Sequence, residues 1–314
     1  MTGTILITGS EGLIGRALAA SLFWSGFGVR PYDLKLTHCG RPLDVLEPAL
    51  LTDAAEGCVG IVHLAAVSRV IWGQREPDLC WRTNVEGTRN ALRTARQARL
   101  RPWVLLASSR EVYGQAAVLP VSEDTPLDPV NVYGRSKAAA EALCIGARSR
   151  GVQTAIARLS NVYGSTGDHA DRVVPCFAAR AALGLPLSIE GREHTFDFTH
   201  LTDTVRGLLA MIRVLTDGEQ ALPPIHLLTG TPTTLGQLAL PASAAAGNRS
   251  PIVEAPPRHF DVARFVGNPS RAKELLGFSA EVELRDGVSQ LVREFAALNQ
   301  PLRSSSGELP TESA

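Results

Sequence analysis

The 314-residue sequence contains no long hydrophobic run and no excess of charge of either sign. No apolar stretch approaches the roughly 20 residues that a helix needs to cross a bilayer. Lys plus Arg number 31 and Asp plus Glu number 31, so the formal net charge is zero. A neutral chain has no electrostatic reason to bind a nucleic acid or a membrane surface. We therefore expect neither kind of partner.

Cysteine is also scarce, and no two of the five cysteines have the spacing of a metal or redox site. Their odd number favours reduced, mostly buried thiols. The histidines are scattered without metal-ligand spacing, so we expect no metal site. The N-terminus lacks the basic segment of a signal peptide, because "TILITG" leads at once into a glycine loop. We expect a cytoplasmic protein.

Apolar, β-rich runs alternate with helical stretches over the first half of the sequence. This alternation predicts an α/β fold, a Rossmann-type doubly wound parallel sheet with a smaller mixed α/β substrate lobe. Strands are expected at 3–9, 27–33, 60–66, 102–108 and 152–160, and helices at 13–26, 76–99 and 132–151.

The segment "TGSEGLIG" (8–15) places Gly9, Gly12 and Gly15 at G-x-x-G-x-x-G spacing between a predicted strand and a predicted helix. Glycine permits a tight turn, close approach of the backbone to a pyrophosphate and close packing of helix on strand. The N-terminus of the helix offers free N–H groups to the phosphates. The segment therefore predicts a dinucleotide-binding site.

Acidic residues at the next strand ends bear on which dinucleotide binds. Asp33 ends the second predicted strand, where a carboxylate accepts hydrogen bonds from the adenosine ribose and repels a 2′-phosphate. This favours NAD, although Arg30 and Lys35 leave NADP as an alternative. Asp44, in "PLDV", is expected at the end of a third strand as an acceptor on the adenine side, with a surface position as the alternative.

A tyrosine and a lysine stand one turn apart in "VYGRSKAAAE", so Tyr133 and Lys137 share one face of a predicted helix. A tyrosine with the ordinary pKa of about 10 is a poor base at neutral pH, and a nearby ammonium lowers that pKa. Ser109 follows a predicted strand at the edge of the sheet where α/β proteins bind ligands. We predict that Ser109 hydrogen-bonds the substrate oxygen with which Tyr133 exchanges a proton.

With these motifs the sequence resembles the extended short-chain dehydrogenases/reductases, and among them the nucleotide-sugar epimerases and dehydratases. The resemblance covers about 3–298 and rests on "TGSEGLIG", "HLAA" (63–66), "TNVEGTRN" (83–90), "SSREVYG", "YGRSK", "RLSNVYG" (158–164), "FDFTHLTD" (196–203) and "RHFDVARFVGNPSRAKELLGF" (258–278). It implies tightly held NAD, oxidation of a sugar carbon (usually C4) to a ketone, and later return of the hydride. It also implies a homodimer formed through the helices near 76–99 and 132–150.

The resemblance assigns roles to individual residues. Ser109, Tyr133 and Lys137 match the catalytic triad of the group. Asn84 matches a residue near the cofactor that supports the active-site helix, Asn161 matches one that contacts the phosphate or sugar of the substrate, and Arg258 matches one that binds the diphosphate. The full predicted set of cofactor contacts is Gly9, Gly12, Leu13, Ile14, Gly15, Asp33, Asp44, Val45, Leu64, Ala65, Ala66, Asn84, Ser108, Tyr133 and Lys137.

Two positions depart from the pattern of the group. In the 4,6-dehydratases that the sequence resembles, Asp-Glu follows the catalytic Thr. Here Glu111 matches the Glu that removes the C5 proton, but Arg110 replaces the Asp that protonates the departing hydroxyl, and a guanidinium is almost never a proton donor. Arg110 is predicted to contact the substrate. Glu111 remains open among a C5 base, an orienting carboxylate and a strand-end partner of Arg110.

The second departure is Phe196, where the group commonly has an Arg that clamps the nucleotide diphosphate. The loss of a bidentate phosphate contact costs on the order of a few kcal/mol. Either Arg258 and a loop residue hold the phosphates, or the substrate is not an ordinary nucleotide sugar.

Pro and Gly become frequent after about residue 160, which indicates a change of organisation. We predict an NAD-binding Rossmann domain over 1–160 to which parts of 196–230 return, a mainly substrate-binding lobe over 161–299, and a disordered tail over 300–314. A helix that begins near residue 235 is expected to end or kink at Pro241, because proline removes a backbone hydrogen bond.

These observations predict an NAD-dependent nucleotide-sugar epimerase or dehydratase that acts through transient C4 oxidation. One alternative is an NAD(P)-dependent dehydrogenase or reductase of a non-nucleotide substrate, which Phe196 favours. Another is a non-catalytic NAD-sensing regulator, which would have no need of Ser109, Tyr133 and Lys137 together.

Overall fold

The computed structural model describes residues 2–218, 222–256 and 262–299. The predicted tail at 300–314 and the predicted diphosphate ligand Arg258 lie outside the described residues.

The described chain contains both strands and helices along its whole length. The strands are β1 (Thr2–Thr8), β2 (Phe27–Tyr32), β3 (Thr37–His38), β4 (Arg41–Pro42), β5 (Cys58–His63), β6 (Trp103–Ser109), β7 (Thr154–Leu159), β8 (Asn161–Tyr163), β9 (Leu187–Glu190), β10 (Thr195–Phe196), β11 (Phe198–His200), β12 (Ile225–Leu227), β13 (Thr233–Thr234) and β14 (Ile252–Ala255). The α-helices are α1 (Leu13–Trp24), α2 (Pro48–Ala55), α3 (Val70–Arg75), α4 (Pro77–Trp81), α5 (Gly87–Gln97), α6 (Val132–Arg148), α7 (Val173–Ala182), α8 (Leu201–Thr216), α9 (Leu235–Ala245), α10 (Ser270–Leu276) and α11 (Leu284–Leu298). A π-helical turn at Arg82–Glu86 joins α4 to α5, and a 3₁₀ turn at Arg110–Tyr113 follows β6.

The main sheet has six parallel strands in the order β12-β7-β6-β5-β1-β2. Successive residues of a strand face opposite sides, and the apolar residues of β1 follow this rule. Ile5 and Ile7 pack in a core with α1 and α8, whereas Leu6 packs in a second core with α2, α5 and α6. Helices therefore cover both faces of the sheet, which confirms the predicted fold class.

A third core lies outside the main sheet. It is formed by α7, α9 and α11 together with the short strands β9, β10 and β11, and Leu238 and Leu291 are among its buried residues. The parallel pairs β8–β11 and β9–β14 and the antiparallel pair β10–β13 belong to this part of the molecule. β12, by contrast, joins the edge of the main sheet beside β7.

Two predictions about local structure were wrong. The helix that begins near residue 235 does not end at Pro241, because α9 continues to Ala245. A capping box between Thr234 and Gln237 fixes its first turn, and its buried face holds the rest, so packing outweighs one lost hydrogen bond. Asp44 does not end a third strand of the sheet, because β3 and β4 form a separate two-stranded hairpin. Its Oδ1 accepts from the backbone N of Leu46 at 2.9 Å and closes a turn.

Candidate active site

The loop after β1 has the geometry of a dinucleotide-binding turn. Gly9 adopts φ +71°, and a Cβ on it would lie 2.7 Å from the backbone N of Ala65. A Cβ on Gly15 would lie 2.2 Å from the carbonyl oxygen of Gly9. Both contacts are with backbone, so the loop packs this closely only with glycine at these positions. The N-cap residue Gly12 provides no side-chain cap, which leaves N–H groups of the first turn for a ligand.

Asp33 follows β2 directly and faces this loop. Its Oδ2 accepts a hydrogen bond from the backbone N of Glu11 at 3.0 Å. Arg30 is committed elsewhere, because it donates to the carbonyl oxygen of Ala54 at 2.7 Å, at the end of α2. Arg30 is one of the two cations that leave NADP as an alternative cofactor. Its guanidinium therefore has backbone partners away from the glycine loop.

The predicted cofactor residues after β5 lie at the same edge. The backbone N of Leu64 donates to the carbonyl oxygen of Thr8 at 3.1 Å, and the backbone N of Ala65 donates to the Thr8 hydroxyl at 3.3 Å. These bonds hold the segment that contains Ala66 beside the glycine loop. Val45 is buried, and a Cβ on Gly87 would lie 2.8 Å from its Cγ2.

Asn84 lies in the π-helical turn, a feature that often occurs at functional sites. Its Nδ2 donates to the Ser136 hydroxyl at 2.8 Å and to the carbonyl oxygen of Val67 at 3.1 Å. Its Oδ1 accepts from the backbone N of Val67 at 2.8 Å. The side chain thus joins the segment after β5 to α6, the helix that carries the predicted catalytic pair.

The predicted catalytic residues converge at the carboxyl end of β6. Ser109 is the last residue of the strand. Its hydroxyl forms a hydrogen bond with the Tyr133 phenol. Lys137 donates through Nζ to the carbonyl oxygen of Ala107 at 2.9 Å, with Nζ 6.0 Å from the centroid of the Tyr133 ring. All three side chains are at least nine-tenths buried.

Burial controls the ionisation of this pair. It raises the pKa of Tyr133 to about 12, although the hydrogen bond from Ser109 lowers it. Burial also lowers the pKa of Lys137 to about 8. The cost of desolvating the phenolate therefore exceeds the effect of this hydrogen bond, and the lowering of the Tyr133 pKa by the Lys137 ammonium stays a prediction.

Arg110 and Glu111 form an ion pair in the turn after β6. The distance from Arg110 Nη2 to Glu111 Oε1 is 2.9 Å. Glu111 Oε2 accepts from Asn131 Nδ2 at 2.7 Å, and Asn131 Oδ1 caps α6 by accepting from the backbone N of Gly134 at 2.7 Å. The guanidinium of Arg110 lies 4.7 Å from the ring centroid of Phe196. The pairing with Arg110 is one of the three interpretations that the sequence left open for Glu111.

A cavity of about 330 Å³ brings these residues together with the second part of the chain. Ser109, Arg110, Glu111 and Tyr133 line one wall. Asn161 and Phe196 also line it, and Asn161 Nδ2 donates to the carbonyl oxygen of Asp197 at 3.2 Å. The cavity therefore lies where the carboxyl end of β6 meets the third core, and clefts of this kind are preferred ligand sites.

Sequence reasoning missed two arginines of this cavity. Arg172, just before α7, lines it and lowers the pKa of Tyr133 through its charge. Arg69, just before α3, also lines it and is hydrogen-bonded to Asp171. Both residues precede helices and belong to no motif. Only their position beside the cavity in the folded chain identifies them as candidate site residues.

Ser108 directs its side chain away from this cavity. Its hydroxyl donates to Glu141 of α6, whose carboxylate also binds Arg158 of β7, with Nη2 and Oε2 2.6 Å apart. The predicted contact of Ser108 with the cofactor stays a prediction, and the structure assigns its hydroxyl to the packing of α6 on the sheet.

Elsewhere in the described part of the chain, no group of three or more His, Cys, Asp or Glu side chains has the arrangement of a metal site. None of the helices over residues 2–218, 222–256 and 262–299 is long and apolar enough to cross a membrane.

The residues around the glycine loop fit NAD. The hydroxyl of Ser10 is buried within the loop and has no hydrogen-bond partner among the described residues. Backbone atoms lie so close to Gly9 and Gly15 that neither position can carry a Cβ. The loop and the first turn of α1 would hold the pyrophosphate, and the Asp33 carboxylate would hold the adenosine ribose.

Fold and site together define an NAD-dependent enzyme of the Rossmann type. The model of the NAD dependent epimerase/dehydratase family matches residues 5–222, and the chain belongs to that family. The match confirms the predicted family, the class of enzyme and NAD as the cofactor.

Individual relatives carry out different reactions. UDP-glucuronic acid decarboxylase 1 of Danio rerio is 29% identical over 93% of this chain and 72% of its own length. The structure of MoeE5 in complex with UDP-glucuronic acid and NAD has a TM-score of 0.82 and 27% identity, covering 93% of this chain and 99% of MoeE5. TunA, an NAD-dependent NDP-hexosamine 5,6-dehydratase, has a TM-score of 0.82 and 28% identity, covering 95% of this chain and 99% of TunA.

Proposed function

We propose that this protein transforms a nucleotide sugar through transient oxidation at C4 of the sugar. The observation that carries the proposal is that Ser109 and Tyr133 line one cavity, with Lys137 held behind Tyr133 on the same helix by the carbonyl oxygen of Ala107. The names of the similar proteins, which act on or bind nucleotide sugars, support it.

The roles of the residues follow from their positions. NAD, when bound, supplies a reversible two-electron oxidant. Tyr133 takes the proton of the C4 hydroxyl, and Ser109 hydrogen-bonds the same oxygen. Lys137 is held by the Ala107 carbonyl one helical turn from Tyr133, and its ammonium favours the phenolate. Asn161, which lines the same cavity, contacts the substrate in this proposal.

The alternatives make different demands on this site. A regulator that only senses NAD has no use for a cavity lined by Ser109 and Tyr133. A dehydrogenase of a non-nucleotide substrate is disfavoured by the names of the similar proteins, which are those of nucleotide-sugar enzymes.

The test is incubation of the full-length protein with NAD and UDP-, dTDP- and GDP-sugars in D2O, followed by proton NMR. A new epimer that keeps its C5 proton would identify an epimerase. Deuterium at C5 with a methyl, alkene or pentose signal would identify a lyase. No conversion of any sugar, by protein that binds NAD, would contradict the proposal.

The homodimer stays a prediction. Trp81 of α4 and Ile145 of α6 are exposed apolar residues on the helices predicted to form it. Sedimentation equilibrium with an exposed-face variant such as Ile145→Lys tests it. A wild-type protein of monomer mass at micromolar concentration would contradict it.

A further inference from the structure

Two segments that are far apart in the sequence meet at the cavity through charged side chains. Arg69, just before α3, is hydrogen-bonded to Asp171, just before α7, across a separation of 102 residues. Both residues line the cavity. The hydrogen bond from Arg69 lowers the pKa of the Asp171 carboxyl, so this carboxyl is charged at neutral pH. The contact is therefore an ion pair between two segments of the cavity lining.

An aromatic contact accompanies this ion pair. The rings of Trp72 and His169 meet edge to face, with their centroids 4.6 Å apart. The Arg69 guanidinium lies 5.5 Å from the centroid of the Trp72 ring, a distance at which the ring attracts the cation. The same cation thus contacts the ring and the Asp171 carboxylate. Arg69, Trp72, His169 and Asp171 form one cluster, which we call the clasp.

The two halves of the clasp belong to different parts of the fold. One half lies at α3, which packs on the catalytic helix α6, because a Cβ on Gly73 would lie 3.4 Å from the Cβ of Tyr133. The other half leads directly into α7, whose Val174 and Phe177 are buried in the third core. The clasp therefore joins the part of the chain that carries Tyr133 to the part that forms the third core. Any motion that separates these two parts at the cavity must break it.

The clasp can open without unfolding either part. The Arg69 side chain is 11% exposed, whereas that of Asp171 is 61% exposed and stays solvated. An ion pair with one partner in water adds little to stability, because water replaces the lost contact. Opening and closing are therefore close in free energy, and a bound molecule that fills the cavity has to leave past this contact or wait for it to break.

We propose that the clasp keeps the oxidised intermediate in the cavity until the hydride returns to it. This inference rests on the proposed function. In that reaction a hydride passes from C4 of the sugar to NAD, and the C4 hydroxyl passes its proton to the Tyr133 phenolate, which leaves a ketone and NADH. A ketone that escaped at this point would leave NADH on the enzyme and end its turnover. Arg69 and Asp171 are positioning residues that prevent this loss.

The state of the clasp can be measured without a substrate. Cys176 lines the same cavity, and burial raises the pKa of its thiol, with a further increase from the charge of Asp171. Full-length protein with NAD is treated with iodoacetamide, and the labelled peptides are quantified by mass spectrometry. Arg69→Gln should label at Cys176 about two- to fivefold faster than the wild type, the range that the loss of an ion pair gives. The exposed Cys39 is the internal reference and should label at an unchanged rate.

NADH left on the enzyme reports escape of the intermediate. Each UDP-, dTDP- or GDP-sugar that the NMR assay shows to be converted is supplied to protein loaded with NAD, and the absorbance of the reduced nicotinamide is followed. Arg69→Gln and Asp171→Asn should each raise the fraction of turnovers that end in NADH by about two- to fivefold. The double variant should leave no more NADH than either single variant, because both residues act through one contact. Asp171→Glu keeps the charge and should recover part of the wild-type behaviour.

A matched variant separates the clasp from a general loss of surface charge. Arg192 forms an exposed ion pair with Glu254 at 3.0 Å, and neither residue lines the cavity. Arg192→Gln should therefore change neither the labelling of Cys176 nor the amount of NADH left on the enzyme.

The outcomes separate the inference from the proposed function. Equal labelling of Cys176 in the wild type and in Arg69→Gln would overturn the clasp. Faster labelling without additional NADH, in a protein that converts a sugar, would overturn its role in retaining the intermediate. Faster labelling in a protein that converts no nucleotide sugar would overturn the proposed function, and the role that rests on it, while the clasp itself would stand.

Discussion

Glu141 and Arg158 form a buried ion pair that fastens the catalytic helix to the sheet. Arg158 Nη2 lies 2.6 Å from Glu141 Oε2, and the side chains of Arg158 and Glu141 are 4% and 1% exposed, respectively. Arg158 Nη1 also donates to the Tyr113 hydroxyl at 2.6 Å and to the carbonyl oxygen of Glu123 at 2.7 Å. The position of α6, and with it that of Tyr133, therefore depends on the Glu141–Arg158 pair.

Glu141→Ala should lower the free energy of unfolding by about 3–5 kcal/mol, because it leaves the Arg158 cation buried without a counter-charge. The matched control is Glu86→Ala, since Glu86 pairs with Arg89 at the surface, where both side chains are more than 40% exposed. That change should cost about 1 kcal/mol or less. Urea unfolding measures both, and equal losses would show that the buried pair has no special role.

Tyr133→Phe should reduce turnover of the nucleotide sugar by about 10²- to 10⁴-fold, because it removes the group that exchanges the proton. NAD binding and thermal stability should change little. Tyr113→Phe is the matched control, since its hydroxyl bonds Arg158 and His226 outside the cavity. It should lose about 1–3 kcal/mol of stability yet keep its turnover per folded molecule. Activity that survives in Tyr133→Phe would remove Tyr133 from the mechanism.

Gly15→Ala should weaken NAD binding by more than about tenfold, because a Cβ 2.2 Å from the Gly9 carbonyl oxygen forces the loop to move. Gly146→Ala is the matched change within α6, where the nearest atom to the new Cβ is Arg150 Nη2 at 3.8 Å. It should raise stability by about 0.5–1 kcal/mol and leave NAD affinity unchanged. Fluorescence titration with NAD distinguishes the two. Unchanged affinity in Gly15→Ala would show that NAD is not held by this loop.

Stability should fall as the pH drops from about 6.5 towards 4. Burial lowers the pKa of His63 to about 3 and that of His226 to about 4, both below the ordinary value of 6.5. In this range the unfolded chain binds protons that the native histidines do not, so stability is complete above pH 6.5 and is lost as the pH falls. Each histidine contributes about 2 kcal/mol between pH 7 and pH 5.

His226→Gln tests this pH dependence. Urea unfolding at pH 7 and at pH 5 should show a loss smaller in the variant than in the wild type by about 2 kcal/mol. The difference between the two pH values is the quantity of interest, so a uniform loss of stability in the variant does not affect it. The same pH dependence in both proteins would contradict the assignment.

Several features of the site could be predicted because they are local. The strand, glycine loop and helix are consecutive in "TILITGSEGLIG", so their chemistry is visible in one short segment. Tyr133 and Lys137 lie one turn apart on a helix, a spacing that needs no knowledge of the fold. Ser109 follows from the rule that ligands bind at the carboxyl edge of a parallel sheet.

Other features could not be predicted because they depend on distant segments. Nothing in "LGQLALPASAAAG" indicates that packing against α11 and α7 carries a helix through Pro241. The sequence likewise gives no sign that Arg30 turns toward α2 or that Ser108 turns toward Glu141.

The parallel sheet and the glycine loop could be read from the sequence alone, because hydrophobic period and turn chemistry act over a few residues. The spacing of Tyr133 and Lys137 is equally local, and their catalytic role stays a prediction. The surroundings of these residues depend on the packed fold. Burial decided the pKa of Tyr133, and the folding of β10 against the turn after β6 brought Arg110 onto Phe196. Desolvation and contacts between separate lobes are properties of the packed molecule, and they arise only when distant segments of the chain meet.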